Sequence, residues 1–263
     1  MYPVLLHLGP ITIYSYGLMM AIAFLVAAYL SGNELSRKGL NGDLASTMVF
    51  SAAIGGLVGA RFFALFDDWN GFLADPIHTL FSGAGFVWYG GLIGGLLAVT
   101  WTIRRHRLPW LVTVDCIAPS LALSHGIGRI GCLLAGDGDW GRPTTLPWGM
   151  AFPHAIVGWD YPPGVRVHPA PLYETIAYTA VFALLWSIRK RKLPDGTLFW
   201  LYLVLASSAR FFIEFIRINP RLLFGLSEAQ LISIGLVAIG AWRLVATFAM
   251  PAHAAAPANA SKP

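Results

Sequence analysis

The stretch Ser124-His125-Gly126-Ile127-Gly128-Arg129-Ile130-Gly131-Cys132 ends an apolar run that extends from Leu111 to Leu134. A run of this length can cross a bilayer, for which about 20 apolar residues are needed. Within it, the charged side chain of Arg129 lies where burial in lipid is costly, so Arg129 is a candidate functional residue. The three glycines around it leave room for another helix or a ligand. The stretch therefore predicts a crowded polar site inside a membrane protein.

The composition of the whole chain points to the same class. Of its 263 residues, 56% are hydrophobic and 12% are charged, and the mean hydropathy is +0.63. An average soluble domain carries about 25% charged residues. The net charge of +5 is explained by basic loops of a membrane protein, and no basic patch with interleaved aromatic residues occurs. Nucleic acid is therefore not an expected partner.

Seven apolar runs predict seven transmembrane helices, so the expected fold is all-α, a polytopic bundle over residues 1–250. The runs extend over residues 14–31, 45–65, 86–103, 111–134, 171–188, 197–216 and 229–250. No cleavable signal peptide is evident, so the first run is expected to be retained. Residues 135–170 contain several Gly, Pro and Trp residues and are expected to form an ordered cap at the outer face. Residues 251–263 are rich in Ala and Pro and are expected to be a disordered tail.

The distribution of Lys and Arg predicts the orientation of this bundle. The loops after the first, third and fifth runs hold nine basic residues, whereas the segments on the opposite side hold four. Basic residues are retained on the cytoplasmic side. We therefore expect the amino terminus outside and the carboxyl terminus in the cytoplasm.

Ionisable residues inside the predicted spans are the first candidates for chemistry. They are Arg61, Asp115, His125, Arg129, Glu174, Arg210 and Glu214. Arg210 and Glu214 are four residues apart and are expected to pair, either to hold two helices together or to serve a site. The three arginines exceed the two glutamates, which predicts uncompensated positive charge. Such a site favours an anion, and phosphate matches the guanidinium fork.

Other residues allow both a structural and a functional interpretation. His125 lies four residues before Arg129 and could accept a proton in the same cavity, or it could be a packing residue. Gly90 and Gly91 could serve helix packing or form the wall of a lipid-sized groove. Arg61 could anchor an interface or bind a ligand, and Tyr16 and Tyr173 could be interfacial anchors or site residues.

Several short motifs occur in a fixed order along almost the whole chain. They are Tyr16-Gly17-Leu18-Met19, Gly90-Gly91-Leu92-Ile93-Gly94, Gly128-Arg129-Ile130-Gly131, Trp140-Gly141-Arg142, His168-Pro169, Leu172-Tyr173-Glu174, and Arg210 with Glu214. This ordered set resembles the prolipoprotein diacylglyceryl transferase family. The seven spans of that family and their orientation agree with the charge distribution.

The resemblance implies an enzyme of the bacterial cytoplasmic membrane that catalyses the first step of lipoprotein maturation. Such an enzyme moves the diacylglyceryl group of phosphatidylglycerol onto the thiol of the lipobox cysteine in a prolipoprotein signal peptide and releases glycerol phosphate. The implied partners are phosphatidylglycerol, the prolipoprotein and membrane lipids. No metal or organic cofactor is expected.

The resemblance also implies roles for matching residues. Arg129 and Arg210 would hold the lipid phosphate, with Glu214 orienting Arg210, while Tyr16 and Tyr173 would shape the head-group site and Arg142 would lie at its outer rim. With His125 added as a proton acceptor, the catalytic candidates are Arg129, Arg210, Glu214, His125 and Tyr16. The substrate-binding candidates are Arg129, Arg142, Tyr89, Gly90, Gly91, Tyr173, Glu174, Asp137 and Arg61.

The chain departs from the family pattern at four places. Cys132 stands where the family signature has asparagine, and Asp137 and Asp139 precede Trp140 with one extra residue. Tyr89 stands where many members have histidine, and His125 where they usually have glutamine. Our hypothesis is that His125 accepts the proton, with Tyr89 or bulk base as the alternative.

Two other functions are compatible with these residues. One is a divergent paralogue that uses a phospholipid donor with another acceptor, which Cys132 suggests. The other is a lipid-binding or transporting bundle without chemistry, although the internal repeats typical of transporters are not visible.

Overall fold

A computed structural model describes residues 1–9, 11–67, 69–75 and 87–249. The elements in chain order are β1 (Val4–Leu8), β2 (Ile11–Tyr14), α1 (Ser15–Arg37), α2 (Leu44–Asp67), α3 (Trp69–Ala74), α4 (Trp88–Arg105), α5 (Trp110–Ala135), α6 (Ala170–Ile188), α7 (Thr197–Ile213), a 3₁₀ turn (Glu214–Ile216) and α8 (Glu228–Ala249). Each of the seven predicted runs corresponds to one of the long helices. The predicted disordered tail, residues 251–263, lies outside the described residues.

The chain is a polytopic helical membrane protein. Within the described residues, six helices are long and apolar enough to span a bilayer: Ser15–Arg37, Leu44–Phe66, Trp110–Ala135, Ala170–Ile188, Thr197–Ile216 and Glu228–Ala249. Helix α4 does not reach the same hydropathy, because its 18 residues include four glycines and end in two arginines.

The helices of the predicted all-α bundle are preceded by a short antiparallel hairpin of β1 and β2, which the prediction did not include. Three β-branched residues and a tyrosine make up β2 and favour extended backbone. Gly9 adopts a φ of +59° at the turn. The side chains of His7 and Thr12 are hydrogen-bonded across the strands at 3.0 Å. The hairpin leads directly into α1.

Helix α5 is the central helix of the bundle. In its apolar stretch, 50% of the residues are buried, compared with 6–28% in the apolar stretches of the other five candidate spans. Its Ser120 is hydrogen-bonded to Ser31 of α1 at 2.7 Å, and its Ser124 donates to the Ala23 carbonyl of α1 at 2.9 Å. On another side, Thr175 of α6 donates to the Gly126 carbonyl at 3.1 Å. These contacts fix both neighbouring helices relative to α5.

At the amino-terminal end of α5, Asp115 holds the start of α7. Its buried carboxylate accepts the backbone N–H groups of Gly196 at 2.7 Å and Phe199 at 2.9 Å. The first N–H groups of a helix lack partners within the helix, and a carboxylate satisfies them. Asp115, one of the ionisable residues in the predicted spans, therefore has a structural role.

Residues 136–169, between α5 and α6, form a folded segment without regular helices. The segment begins at Gly136, whose φ of +64° ends α5. Trp140, Phe152 and Val167 form a buried cluster, in which the rings of Trp140 and Phe152 stack with centroids 5.2 Å apart. This cluster holds the segment against the end of α5.

Helices α2 and α4 touch through glycines. A Cβ atom on Gly94 would lie 2.2 Å from the Gly55 carbonyl oxygen, and one on Gly90 would lie 2.3 Å from that of Gly59. The backbones can approach this closely only because neither glycine carries a side chain. The structure thus shows Gly90 in helix packing, one of the two interpretations left open for it.

We expect the substitution Gly94→Ala to destabilise the protein by about 1–3 kcal/mol, because the new methyl group would collide with the backbone of α2. The measurement is the midpoint of thermal unfolding of the detergent-solubilised protein. Gly235→Ala in α8 is the matched control, since a Cβ there meets nothing within 4 Å. An unchanged midpoint for Gly94→Ala would contradict this helix contact.

Candidate active site

Six charged side chains meet where the carboxyl-terminal ends of α5 and α7 approach the amino-terminal end of α6. The members of this ion cluster are Arg129, Asp139, Glu174, Arg210, Glu214 and Arg217. They come from three helices, the 3₁₀ turn and the adjoining segments.

Glu174 lies at the centre of the ion cluster. One carboxylate oxygen, Oε2, faces Nε of Arg129, while the other, Oε1, accepts from Nη1 of Arg210 at 2.6 Å. Nη1 of Arg217 lies 3.6 Å from the same Oε1. The side chain of Glu174 is completely buried. Arg129 and Arg210, which the resemblance implies hold one lipid phosphate, therefore converge on a single carboxylate.

Glu214 forms the second buried acidic position. Its Oε2 lies 2.9 Å from Nη2 of Arg210, as the four-residue spacing predicted, and 3.6 Å from Nε of Arg217. Its Oε1 accepts a hydrogen bond from the Asn219 amide at 2.7 Å. Glu214 is thus paired in charge with both arginines.

Asp139 closes the ion cluster from the segment between α5 and α6. Its two oxygens face Arg129 and Arg217, and its backbone N–H donates to Asp137 Oδ1 at 3.2 Å. Burial by itself would raise the pKa of the Asp139 carboxyl, but the positive charges of Arg217 and Arg129 outweigh this effect and leave its pKa below the ordinary value. Asp139 is therefore ionised at neutral pH.

The ion cluster contains three guanidinium groups and three carboxylates. The excess of positive charge predicted from the sequence is therefore wrong for this site. The predicted balance counted Arg61, which is not a member of the cluster, whereas Arg217 and Asp139 add one charge of each sign. Access is uneven: the side chains of Arg129, Arg210 and Asp139 are 18%, 19% and 28% exposed, whereas Glu174 and Glu214 are fully buried. The partly exposed Arg129 and Arg210 side chains are therefore the members that an arriving anion could reach.

Tyr16 and Cys132 lie beside Arg129. Any Cβ on Gly131 would be 3.3 Å from the Tyr16 ring, so the ring rests against this part of α5. Sγ of Cys132 lies 3.7 Å from Nη1 of Arg129. Candidate ligand atoms of Cys132, Asp137 and Asp139 lie within 4.8 Å of one another and could hold a metal ion, although Asp139 already faces two arginines. The expectation of no metal stays a prediction.

Tyr173 and Arg142 lie in the layer next to the ion cluster. The Tyr173 hydroxyl accepts from the Trp148 indole at 2.8 Å and is 3.2 Å from Nδ1 of His168. The side chain of Arg142 is exposed, and its backbone N–H donates to the Ile216 carbonyl at 2.8 Å. This bond joins the segment after α5 to the chain just before Arg217.

The imidazole of His125 lies in a helix contact between α5 and α6. It is half-buried and stacks on Tyr178, with the ring centroids 3.9 Å apart. This placement favours the packing interpretation of His125. Its role as a proton acceptor stays a prediction.

Four other predicted substrate-binding residues lie where α2 approaches the start of α4. They are Arg61, Tyr89, Gly90 and Gly91. The Ala60 carbonyl next to Arg61 accepts the Val87 N–H at 3.1 Å, and a Cβ on Gly91 would lie 3.5 Å from that of Ala60. None of these four residues belongs to the ion cluster as defined above. Their substrate-binding roles stay predictions.

Two members of the ion cluster, Asp139 and Arg217, were not among the predicted site residues. For Arg217 a signal was present, because it follows Glu214 by three residues and Arg210 by seven, which places all three on one helical face. For Asp139 the sequence offered two neighbouring aspartates in an uncertain register. Only the fold shows which of them faces the arginines.

Known proteins are similar to this chain over most of its length. Residues 3–246 match the family model described as prolipoprotein diacylglyceryl transferase. A protein named phosphatidylglycerol–prolipoprotein diacylglyceryl transferase from Clostridium tetani is 35% identical to this chain over 91% of this chain and 95% of its own length. A protein of the same name from a Nostoc species is also 35% identical, over 95% of this chain and 92% of its own length. A protein of the same name from Pseudoalteromonas atlantica is 32% identical over 91% of this chain and 88% of its own length. The extent of these matches shows that the chain belongs to the prolipoprotein diacylglyceryl transferase family.

Proposed function

We propose that this protein transfers the diacylglyceryl group of phosphatidylglycerol to the thiol of the lipobox cysteine of prolipoproteins, the first step of lipoprotein maturation. The observation that carries the proposal is the convergence of Arg129 and Arg210, from different helices, on the buried carboxylate of Glu174. The names of the relatives supply the donor lipid and the acceptor protein.

The ion cluster is suited to a phosphate although its formal charges balance. The buried carboxylates of Glu174 and Glu214 occupy one side of the Arg129 and Arg210 guanidinium groups and fix their planes. The exposed edges of both arginines remain for an anion, and fixed guanidinium forks match phosphate oxygens. Binding then requires little reorganisation of the protein.

The chemistry needs positive charge at the leaving group. The thiol sulfur attacks the glycerol carbon that carries the phosphate ester, an S–C bond forms, and the C–O bond breaks. The electron pair of that bond leaves with glycerol phosphate, and the thiol proton passes to a base. Donors already aimed at the phosphate, as Arg129 and Arg210 are in this proposal, stabilise the charge that develops there.

In the membrane, we propose seven spans, with α4 as the third, and an amino terminus outside the cytoplasm. Glycine contacts hold α4 along α2, which is itself apolar enough to span. The proposed orientation places the segment of residues 136–169 as a cap at the outer face of the bacterial cytoplasmic membrane. Tyr173, with its partner Trp148, would then lie at the interface, where such rings are frequent.

Reporter fusions test this topology. An alkaline phosphatase fused after Asp75 is expected to be active, because that position would be outside, and one fused after His106 is expected to be inactive. A fusion after Lys192, in a loop with four consecutive basic residues, is the inactive control. Equal activity after Asp75 and His106 would contradict the crossing of α4.

The transfer reaction itself is tested with purified protein in phosphatidylglycerol vesicles and a lipobox peptide. We expect a thioether-linked diacylglyceryl peptide and free glycerol phosphate, both measured by mass spectrometry. A peptide with serine in place of the cysteine should give no product, because its hydroxyl is a far weaker nucleophile. Lipid consumption without modified peptide would contradict the acceptor, and lipid binding without turnover would contradict the transfer.

The roles of the two arginines are tested by Arg129→Lys and Arg210→Lys. Lysine keeps the positive charge but cannot hold a carboxylate and a phosphate with one planar fork, so we expect kcat/KM to fall by about 100-fold or more. Arg104→Lys, exposed in the last turn of α4, should leave the activity unchanged. The thermal midpoint of each variant separates misfolding from a catalytic loss. Full activity in a folded variant would rule out this role for that arginine.

A further inference from the structure

An asparagine next to the ion cluster contacts Glu214, and the proposed chemistry does not use it. The side-chain amide of Asn219 donates to Oε1 of Glu214 at 2.7 Å. An ionised carboxylate can only accept hydrogen bonds, so the amide nitrogen is the group that faces it. The other oxygen of the fully buried Glu214, Oε2, lies 2.9 Å from Nη2 of Arg210 and 3.6 Å from Nε of Arg217. The two oxygens of this carboxylate therefore have different partners.

The chain holds Asn219 between two arginines that are both tied to Glu214. On one side, the backbone N–H of Arg217 donates to the Glu214 carbonyl at 3.2 Å. On the other side, Nη2 of Arg221 donates to the same carbonyl at 3.1 Å. Pro220 in addition limits the backbone of Asn219, because a proline restricts the conformations of the residue before it. The amide is therefore presented to Glu214 by a constrained segment.

The start of α8 holds Arg221 in turn. Nη1 of Arg221 donates to the side-chain oxygen of Gln230 at 2.6 Å, and this oxygen also accepts the Ser227 N–H at 3.0 Å. The amide of the fully buried Gln230 donates to the Phe211 carbonyl of α7 at 3.3 Å. The end of α7, the segment that contains Asn219 and the start of α8 therefore form one connected unit.

The contacts of Arg210 show what the hydrogen bond from Asn219 prevents. Nη1 of Arg210 donates to Oε1 of Glu174 at 2.6 Å, and Nη2 lies 2.9 Å from Oε2 of Glu214. Each of these two carboxylates thus contributes one oxygen. An arginine and a carboxylate otherwise favour a twofold contact, in which both oxygens bind one guanidinium group. Because Oε1 of Glu214 is engaged by Asn219, the twofold contact cannot form without loss of the amide hydrogen bond.

We propose that Asn219 is a positioning residue, which keeps Glu214 from occupying the part of Arg210 that the lipid phosphate needs. This inference rests on the proposed transferase function. Without the amide, Oε1 of Glu214 would be a buried acceptor without a partner, which is costly. The guanidinium groups of Arg210 and Arg217, which already face the other oxygen, could satisfy it if the carboxylate turned towards them. Phosphatidylglycerol would then have to compete with Glu214 for Arg210.

The first test is Asn219→Leu, which removes the amide and keeps a side chain of similar size. We expect KM for phosphatidylglycerol and the inhibition constant of glycerol phosphate to rise together by about 10-fold, because both ligands present a phosphate to Arg210. KM for the lipobox peptide should not change, whereas a general loss of structure would not separate the two substrates. Asn33→Leu, at an exposed position of α1, is the matched control.

The charges around Glu214 determine how an acidic replacement of Asn219 behaves. The groups that face its carboxylate or backbone carbonyl, or share its arginines, are Arg210, Arg217, Arg221, Glu174 and Asp139. The ion cluster holds three guanidinium groups and three carboxylates, so a fourth carboxyl group would give it an excess of negative charge. A carboxyl group at position 219 would therefore have a pKa above its usual range.

The second test is Asn219→Asp, whose effect should depend on pH. At pH 8 the new carboxylate repels Glu214 and the arriving phosphate, so we expect kcat/KM to fall by about 30-fold. At pH 5.5 the pair shares one proton, which restores a hydrogen bond to Glu214. The deficit relative to the wild type at the same pH should then shrink by about fivefold, whereas that of Asn219→Leu should stay constant. Asn33→Asp is the control and should follow the wild type at each pH.

The outcomes distinguish the two levels of proposal. If the wild-type protein forms no thioether, the proposed function fails. If the wild type is active and Asn219→Leu keeps its affinity for phosphatidylglycerol and glycerol phosphate, the positioning role is overturned. A deficit of Asn219→Asp that does not change with pH also overturns it. If the thermal midpoint shows that Asn219→Leu does not fold, Asn219→Asp decides alone, because its pH dependence is measured within one protein.

Discussion

The completely buried carboxylate of Glu174 is the constraint on which the site depends. A carboxylate without water is tolerated only when positive groups and hydrogen bonds surround it, and here the guanidinium groups of Arg129, Arg210 and Arg217 do so. Each arginine is contributed by a different part of the chain. Satisfying this one acidic group therefore draws α5, α6 and the end of α7 together.

The charge balance of the ion cluster explains how a protein can keep three arginines together before its lipid arrives. Unpaired guanidinium groups would repel one another and would be costly to bury. Paired with Glu174, Glu214 and Asp139, they are held in place, while the side chains of Arg129 and Arg210 stay partly exposed. A phosphate would meet donors whose orientation is already set, so the carboxylates act as positioning groups more than as competitors of the anion.

The remainder of the fold supplies rigidity around this centre. Hydrogen bonds from Ser120 and Ser124 fix α5 against α1, the Asp115 carboxylate holds the start of α7, and glycines let α2 and α4 touch. The folded segment after α5 delivers Asp139 and joins its backbone to the chain before Arg217. Together these contacts hold the ion cluster in place at one end of the bundle.

The sequence by itself determined the helical membrane class, the seven long helices and the pairing of Arg210 with Glu214, because hydropathy and helical spacing are local properties. It also singled out Arg129 and Glu174 by their charge at membrane depth. It did not reveal the short hairpin, whose strands are too brief for a clear pattern, or the role of Asp139, which lies in an irregular segment. The tertiary structure alone decided which charges meet, that their number balances, and that His125 packs on Tyr178. Contacts between residues far apart in the chain depend on how the helices are packed, and no local pattern encodes that packing.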